Sequence, residues 1–182
     1  VTLLSACTSA PEAANAPRAQ RGEELSAHVL LPLEHDTVFS YLTSNDAGEQ
    51  GMMVLQVRRP RPDLAELDVA GRVQRLDVAP GSVMHAGGGY LLKDPIVEGA
   101  TFRGAFGDVR IAVVGHTVEV PAGKFEGCVV TLEESAQPFK RAESTYCPEV
   151  GLVALVVEAS GEDDALRVET RLKSHGPRVQ LR

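Results

Sequence analysis

Leu166-Arg167-Val168-Glu169-Thr170-Arg171-Leu172-Lys173 alternates without a break: Leu166, Val168, Thr170 and Leu172 fall on one side of an extended chain, and Arg167, Glu169, Arg171 and Lys173 on the other. Successive side chains of a strand leave opposite faces of its sheet, so this stretch reads as a strand with one buried and one wet side. Upstream, from about Leu25 to Ser174, the same period of two recurs, punctuated by Gly, Pro, Asn and Asp at strand-like spacing. Thr37 to Thr43 and Met52 to Arg59 form a hairpin around Asn45-Asp46-Ala47-Gly48. Further strands are expected near 66–70, 72–78, 90–93, 101–106, 109–114, 117–120, 125–133, 140–146 and 152–159. Capped helix-period segments of useful length are lacking, although Pro62 to Leu67 reads as one short helical turn. The expected fold is all-β and mainly antiparallel, a meander curved into a sheet or half-barrel behind a disordered N-terminal tether.

With 182 residues there is room for one domain and a leader. A body of about 150 residues buries roughly 68–70% of its unfolded surface, so no further staple is required. The formal net charge of -7 and pI of 5.2 argue against a nucleic-acid partner, whose phosphates demand a basic footprint. Aromatic residues make up 4% of the chain and Trp is missing, which leaves little to stack bases or sugars. No later apolar run approaches the roughly 20 residues that a spanning helix needs.

Near the start, Leu4-Ser5-Ala6-Cys7 is an apolar stretch ending in small residues and a cysteine, and Thr8 to about Glu24 is Ala, Pro, Ser, Glu and Arg without hydrophobic period. The first resembles the lipobox of bacterial lipoproteins. That resemblance implies cleavage before Cys7, diacylglycerol on its sulfur and an acylated amino terminus. Two or more acyl chains hold a protein stably at a membrane, at roughly 0.8 kcal/mol per buried methylene. Residues 1–6 are then the remnant of a trimmed signal peptide, and 7–24 a lipidated tether too poor in apolar surface to offset its ordering entropy. The β domain is expected over 25–176 and a C-terminal tail over 177–182. Thr8, where an Asp would signal retention, goes in many such lipoproteins with export to the outer membrane, facing the periplasm.

Within the body, Leu31-Pro32-Leu33 leads into Val38-Phe39-Ser40-Tyr41. Leu91-Leu92-Lys93-Asp94-Pro95 follows with Gly99 and Thr101-Phe102, then the run from Val118 to Cys128 (VEVPAGKFEGC), then the run from Tyr146 to Val153 (YCPEVGLV). This ordered series resembles a widespread group of bacterial lipoproteins akin to the TapB-like and DUF3108-like proteins. It departs from them where relatives carry Trp and this chain has Phe39 or Phe102, and where Glu149 replaces a common Gly. The resemblance implies an envelope-facing antiparallel fold similar to the LolA/LolB half-barrel, and brings no catalytic residues with it.

Cys128 and Cys147 sit on two successive strands whose symmetric hairpin centre falls between Gln137 and Pro138. In that register they face each other and Glu134 meets Arg141. A slip of one residue would turn the sulfurs to opposite faces. An exported protein folds in an oxidising compartment, so a cross-strand disulfide is expected. Zinc is disfavoured with two sulfurs and no nearby histidine pair.

Catalytic patterns are thin. His28, His35, His85, His116 and His175 are scattered in sequence with no metal-binding spacing, and no Gly-x-Ser-x-Gly elbow is present. Gly87-Gly88-Gly89 lacks the Gly-Lys-Ser/Thr ending of a phosphate loop and reads as a bend. The acidic turn Gly161-Glu162-Asp163-Asp164 lacks EF-hand spacing. Arg58-Arg59-Pro60-Arg61-Pro62 would suit anionic headgroups or simply keep a loop soluble. No catalytic residue, metal or cofactor is therefore expected, and the chain reads as a non-enzyme. Two readings remain: an envelope interaction or structural module that meets another protein through a strand edge or sheet face, or a carrier holding a lipid or other amphiphile in the concave face of the sheet.

Overall fold

The alternating Leu166–Lys173 stretch lies in the last of the twelve strands among the described residues. The computed structural model describes residues 25–160 and 165–178; Cys7, the tether 7–24 and the acidic turn at 161–164 lie outside the described residues. A one-turn helix α1 (Ala27–Leu30) comes first, with the Ser26 hydroxyl accepting from Val29 N as its cap. There follow β1 (Thr37–Asn45), β2 (Gln50–Arg61), β3 (Leu64–Val69), β4 (Arg72–Ala79), β5 (Ser82–His85) and β6 (Tyr90–Lys93). The second run is β7 (Thr101–Arg103), β8 (Asp108–Val120), β9 (Gly123–Ala136), β10 (Phe139–Cys147), β11 (Gly151–Ser160) and β12 (Ala165–Pro177).

All twelve belong to one antiparallel sheet in the order β6-β5-β4-β3-β2-β1-β12-β11-β10-β9-β8-β7. The chain walks outward from β1 to β6, crosses to β7, and walks back to β12, which pairs with β1 from Thr37 opposite Pro177 to Asn45 opposite Val168. The sheet curls into a nearly closed barrel. Its two edge strands, β6 and β7, face each other at the seam, where the rings of Tyr90 and Phe102 meet edge to face at 6.2 Å. A side chain at Gly89 would collide with the Gly104 carbonyl, so glycine is what lets the two edges approach. The Glu133 carboxylate staples the same region, its Oε1 accepting from Phe106 N at 2.6 Å and Gly107 N at 3.0 Å.

The expected hairpins are present, with corrections. Pro62 to Leu67 is not a helical turn: only Pro62 and Asp63 turn, and Leu64–Val69 is a strand paired on both sides, with Ala65 fully buried. Pairing on both edges overrides the local tendency there. The strands expected at 109–114 and 117–120 are one, running through bulges, and the strand expected at 101–106 stops at Arg103. The four residues of β5 carry too short a pattern to be read in advance. β12 runs through Pro177, and Arg178 N donates to Asp36 O, so order continues past the expected boundary at Gly176. Leu166, expected on the buried face, is 53% exposed because it lies beyond the last β1 pair.

Beyond Val129 the β9 ladder to β10 ends, and the outer part of the β8–β9 hairpin, Gly115 to Gly127, becomes a two-stranded arm. Both flanking glycines have positive φ, 80° and 73°, and the β8–β9 register shifts repeatedly near the bend. The arm turns away from its neighbours, and Ala122 N at its tip donates to Leu172 O of β12 at 3.0 Å. In the sheet, β11, β10 and β9 separate β12 from β8. The arm therefore crosses the concave side, laying Val118, Val120, Ala122 and Phe125 against the core.

Cys128 follows the second bend directly and is bonded to Cys147, with Cα atoms 4.1 Å apart. Arg141 sits opposite Glu134, 3.5 Å away, in the register read from the hairpin's symmetry. The bond pins the base of the arm to the end of β10. Closing a loop across 19 residues stabilises by about 3 kcal/mol on the chain-entropy estimate. Replacing both cysteines by alanine is expected to cost about that much in urea unfolding, with the wild-type protein under reducing conditions falling to the same midpoint. An unchanged midpoint would contradict it.

Candidate functional site

The concave side of the sheet is where a ligand would sit, and its contents follow from the strand alternation. Inward residues of the first run include Phe39, Tyr41, Val57, Ala65, Leu76, Val83 and Leu92; the second contributes Ile111, Val129, Tyr146, Val153 and Leu172. Two segments fill what the strands leave. Helix α1 inserts Ala27 and Leu30 at one end, held by Ala27 N donating to Asp94 Oδ1 at 2.8 Å and by Glu149 N donating to Val29 O at 2.9 Å. The arm covers the rest.

Two phenols are buried in this packing. Tyr41 Oη donates to Leu152 O at 2.9 Å, reaching from β1 over β12 to β11. Burial, reinforced by Tyr146, raises its pKa well above the usual tyrosine range. Tyr146 is pushed up to about 12, chiefly by burial, with the Ser144 hydrogen bond pulling it down and the Glu133 charge adding to the rise. His85, near the seam, is lowered by burial, and the charge of Glu133 opposes that shift. Glu133, His85 and Tyr146 thus share one neighbourhood, but the Glu133 Oε1 is committed to two backbone amides. Among the described residues no group of three metal-ligating side chains comes together.

Outside the barrel, Leu42 faces Met52 across the β1–β2 ladder and Val54 lies two residues along. These three are 40%, 62% and 45% exposed, an apolar strip on the outer face. The basic cluster is already engaged: Arg58 pairs with Asp68 at 3.3 Å and Arg61 with Asp63 at 3.2 Å, while Arg59 donates to the carbonyls of Leu33 and Pro62.

At the α1 end, a groove of about 400 Å³ runs between the Pro32–His35 segment and the last residues of β12. His35 and His175, far apart in sequence, both line it, because β1 pairs with β12 and places His175 opposite Phe39. Nothing in the local sequence around either histidine signals this. Of the residues singled out from sequence, Cys128 and Cys147 meet as a disulfide, His28 is exposed on α1, His116 lies opposite Cys128 on the arm, and Cys7 is outside the described residues.

The buried titratable groups set a pH response. Free tyrosines ionise at about pH 10, whereas Tyr41 and Tyr146 resist it in the fold. The unfolded chain then holds fewer protons, so stability falls as pH rises through this range. For His85, lowered in the fold, the unfolded chain takes the proton first, and stability falls as pH drops below about 6.5. Urea midpoints measured across pH are expected to decline at both ends, the alkaline limb flattening in Tyr146→Phe and the acid limb in His85→Gln. Limbs unaltered by these changes would refute the assignment.

No family model matches this chain, and no curated protein matches its sequence. Two solved structures are similar. One, a protein assigned as exported with a YmcC-like fold from Bacteroides fragilis NCTC 9343, has 13% identity and a TM-score of 0.49 over 79% of this chain and 96% of that one. The other, assigned as a lipoprotein from Parabacteroides distasonis ATCC 8503, has 14% identity and a TM-score of 0.47 over 81% of this chain and 98% of that one.

Proposed function

We propose that this chain is a lipid-anchored protein of the bacterial cell envelope, held at the outer membrane through acyl chains on Cys7, and that its β body is a non-catalytic module that contacts another envelope protein. The observation that supports this reading over a carrier is the filled interior. Leu172, Val153 and Leu30 are completely buried, and the arm reaches across to β12. A carrier for a lipid or other amphiphile would need the arm to leave the concave face. The outer face, by contrast, offers an apolar strip at Leu42, Met52 and Val54 that is left exposed among the described residues. The edge strands β6 and β7 oppose each other, so a sheet face is the better contact than these edges.

A photoreactive phenylalanine analogue at Met52, in the native host, tests this. Irradiation is expected to give a discrete adduct with an envelope protein, absent when the same analogue replaces exposed Lys124. In Cys7→Ser the protein is expected to leave the membrane fraction and the adduct to weaken at least 5-fold. No adduct above the Lys124 background, or membrane retention of Cys7→Ser, would contradict the respective halves of the reading.

A further inference from the structure

The groove beside the Pro32–His35 segment lies among residues with costly backbone geometry. Among the described residues four that are not glycine have positive φ; two of them, Leu33 at 49° and Glu149 at 63°, line this groove, and a third, Asp36 at 60°, stands between the lining residues His35 and Thr37. Backbone strain of this kind persists only where surrounding structure holds it, and it gathers at functional sites. Here the holding contacts are explicit. Asp36 N donates to Val57 O at 3.0 Å, and Arg178 N donates to Asp36 O at 2.8 Å. Leu33, its side chain in the core, lends its carbonyl to Arg59.

Glu149 is the most informative of the three. Cys147-Pro148-Glu149-Val150 is a β-turn closed by Val150 N donating to Cys147 O at 3.2 Å, and positive φ at its third position is where glycine is favoured. A glutamate there strains the turn, and Glu149 lines the groove. The disulfide at Cys147 and the Glu149 N bond to Val29 O fix that turn in place. Glu34 lines the same groove. Among the described residues neither carboxylate has a cationic partner, whereas Glu66, Asp68, Glu158 and Glu169 are each paired with an arginine.

The groove's lining includes a pair of rings, His175 stacked on the buried Phe39 at 6.0 Å with planes 19° apart, together with Pro32 and Pro177. Its volume of about 400 Å³ falls within the range of roughly 300–1,000 Å³ typical of ligand sites. The ring of His175, the two prolines and the two carboxylates without a cationic partner together fit a planar cation on an apolar stem.

We propose that this groove is a docking site for an arginine side chain carried on an extended segment of a partner protein. The guanidinium is chosen over an ammonium because it stacks on flat rings and can meet a carboxylate with two parallel hydrogen bonds. The proposal rests on the interaction-module reading and adds to it a second contact and the chemistry of the partner.

The test uses the whole chain bearing Cys7→Ser, isotope-labelled, titrated in NMR with the peptide acetyl-Ala-Pro-Arg-Pro-Ala-amide. Saturable shifts are expected at Phe39, His175 and Glu149, at least 3-fold weaker affinity for the lysine peptide, and no saturation with the citrulline peptide, which keeps the shape and drops the charge. Glu149→Gly relieves the strained turn, so it is expected to melt higher than the parent while binding at least 5-fold more weakly; Glu34→Gln is expected to weaken binding similarly. A stable Glu149→Gly that binds as well as the parent, equal affinity for the citrulline peptide, or no saturable shift at the groove would each overturn the proposal. A silent groove together with a Met52 adduct in cells removes the arginine site and leaves the module reading standing. A silent groove with no Met52 adduct removes both.

Discussion

The ladder between β1 and β12 is the contact on which this architecture depends. Among the described residues it is the only hydrogen-bonded ladder that joins the outward run β1–β6 to the returning run β7–β12; without it the sheet would part into two. Its partners lie at opposite ends of the domain, so its formation carries a large loop-closure entropy that must be met by burial. That burial comes from the inward residues of both strands, Phe39 and Tyr41 on one and Thr170 and Leu172 on the other, and from the phenol of Tyr41 reaching past β12 to Leu152. The same ladder helps make the groove at the α1 end, since the pairing of Phe39 with His175 brings together the two rings in its lining.

The second constraint is how a curved sheet fills its own hollow. A sheet of this many strands encloses more space than its inward side chains occupy, and an unfilled apolar void forfeits the contacts that a packed interior gains. Here the chain supplies the filling from both sides: α1 enters at one end, and the arm bends at Gly115 and Gly127 to lie across the concave face. The disulfide stands where the arm leaves the sheet, so a covalent tie restrains the segment with the least ladder support. The interior is thus spent on stability, which moves the search for partners to the outside.

Much of this was legible in the sequence because it is local. Period-two alternation gave the strand in Leu166–Lys173, Asn45 to Gly48 gave the first hairpin turn, and the symmetry about Gln137 and Pro138 gave the register that joins Cys128 to Cys147. What was not legible is set by contacts between distant segments. The pattern over 109–120 shows two strands but not that a bent glycine keeps them continuous, nor that the hairpin leaves the sheet to reach Leu172. Pro62 to Leu67 looked helical until pairing with β2 and β4 decided it. The groove was invisible for the same reason: His35, His175, Glu34 and Glu149 have no common spacing, and the strain at Glu149 is a property of a turn whose neighbours come from α1 and β10.

The central claim is that the concave side of the body is occupied by its own α1 and arm. The most direct measurement is native mass spectrometry of the Cys7→Ser chain, exported to the periplasm and purified without detergent. The account predicts a single bare mass, short of the reduced chain by two hydrogens for the Cys128–Cys147 bond. A reproducible added mass in the lipid range, released on denaturation, would contradict it and show that the arm gives way to a ligand.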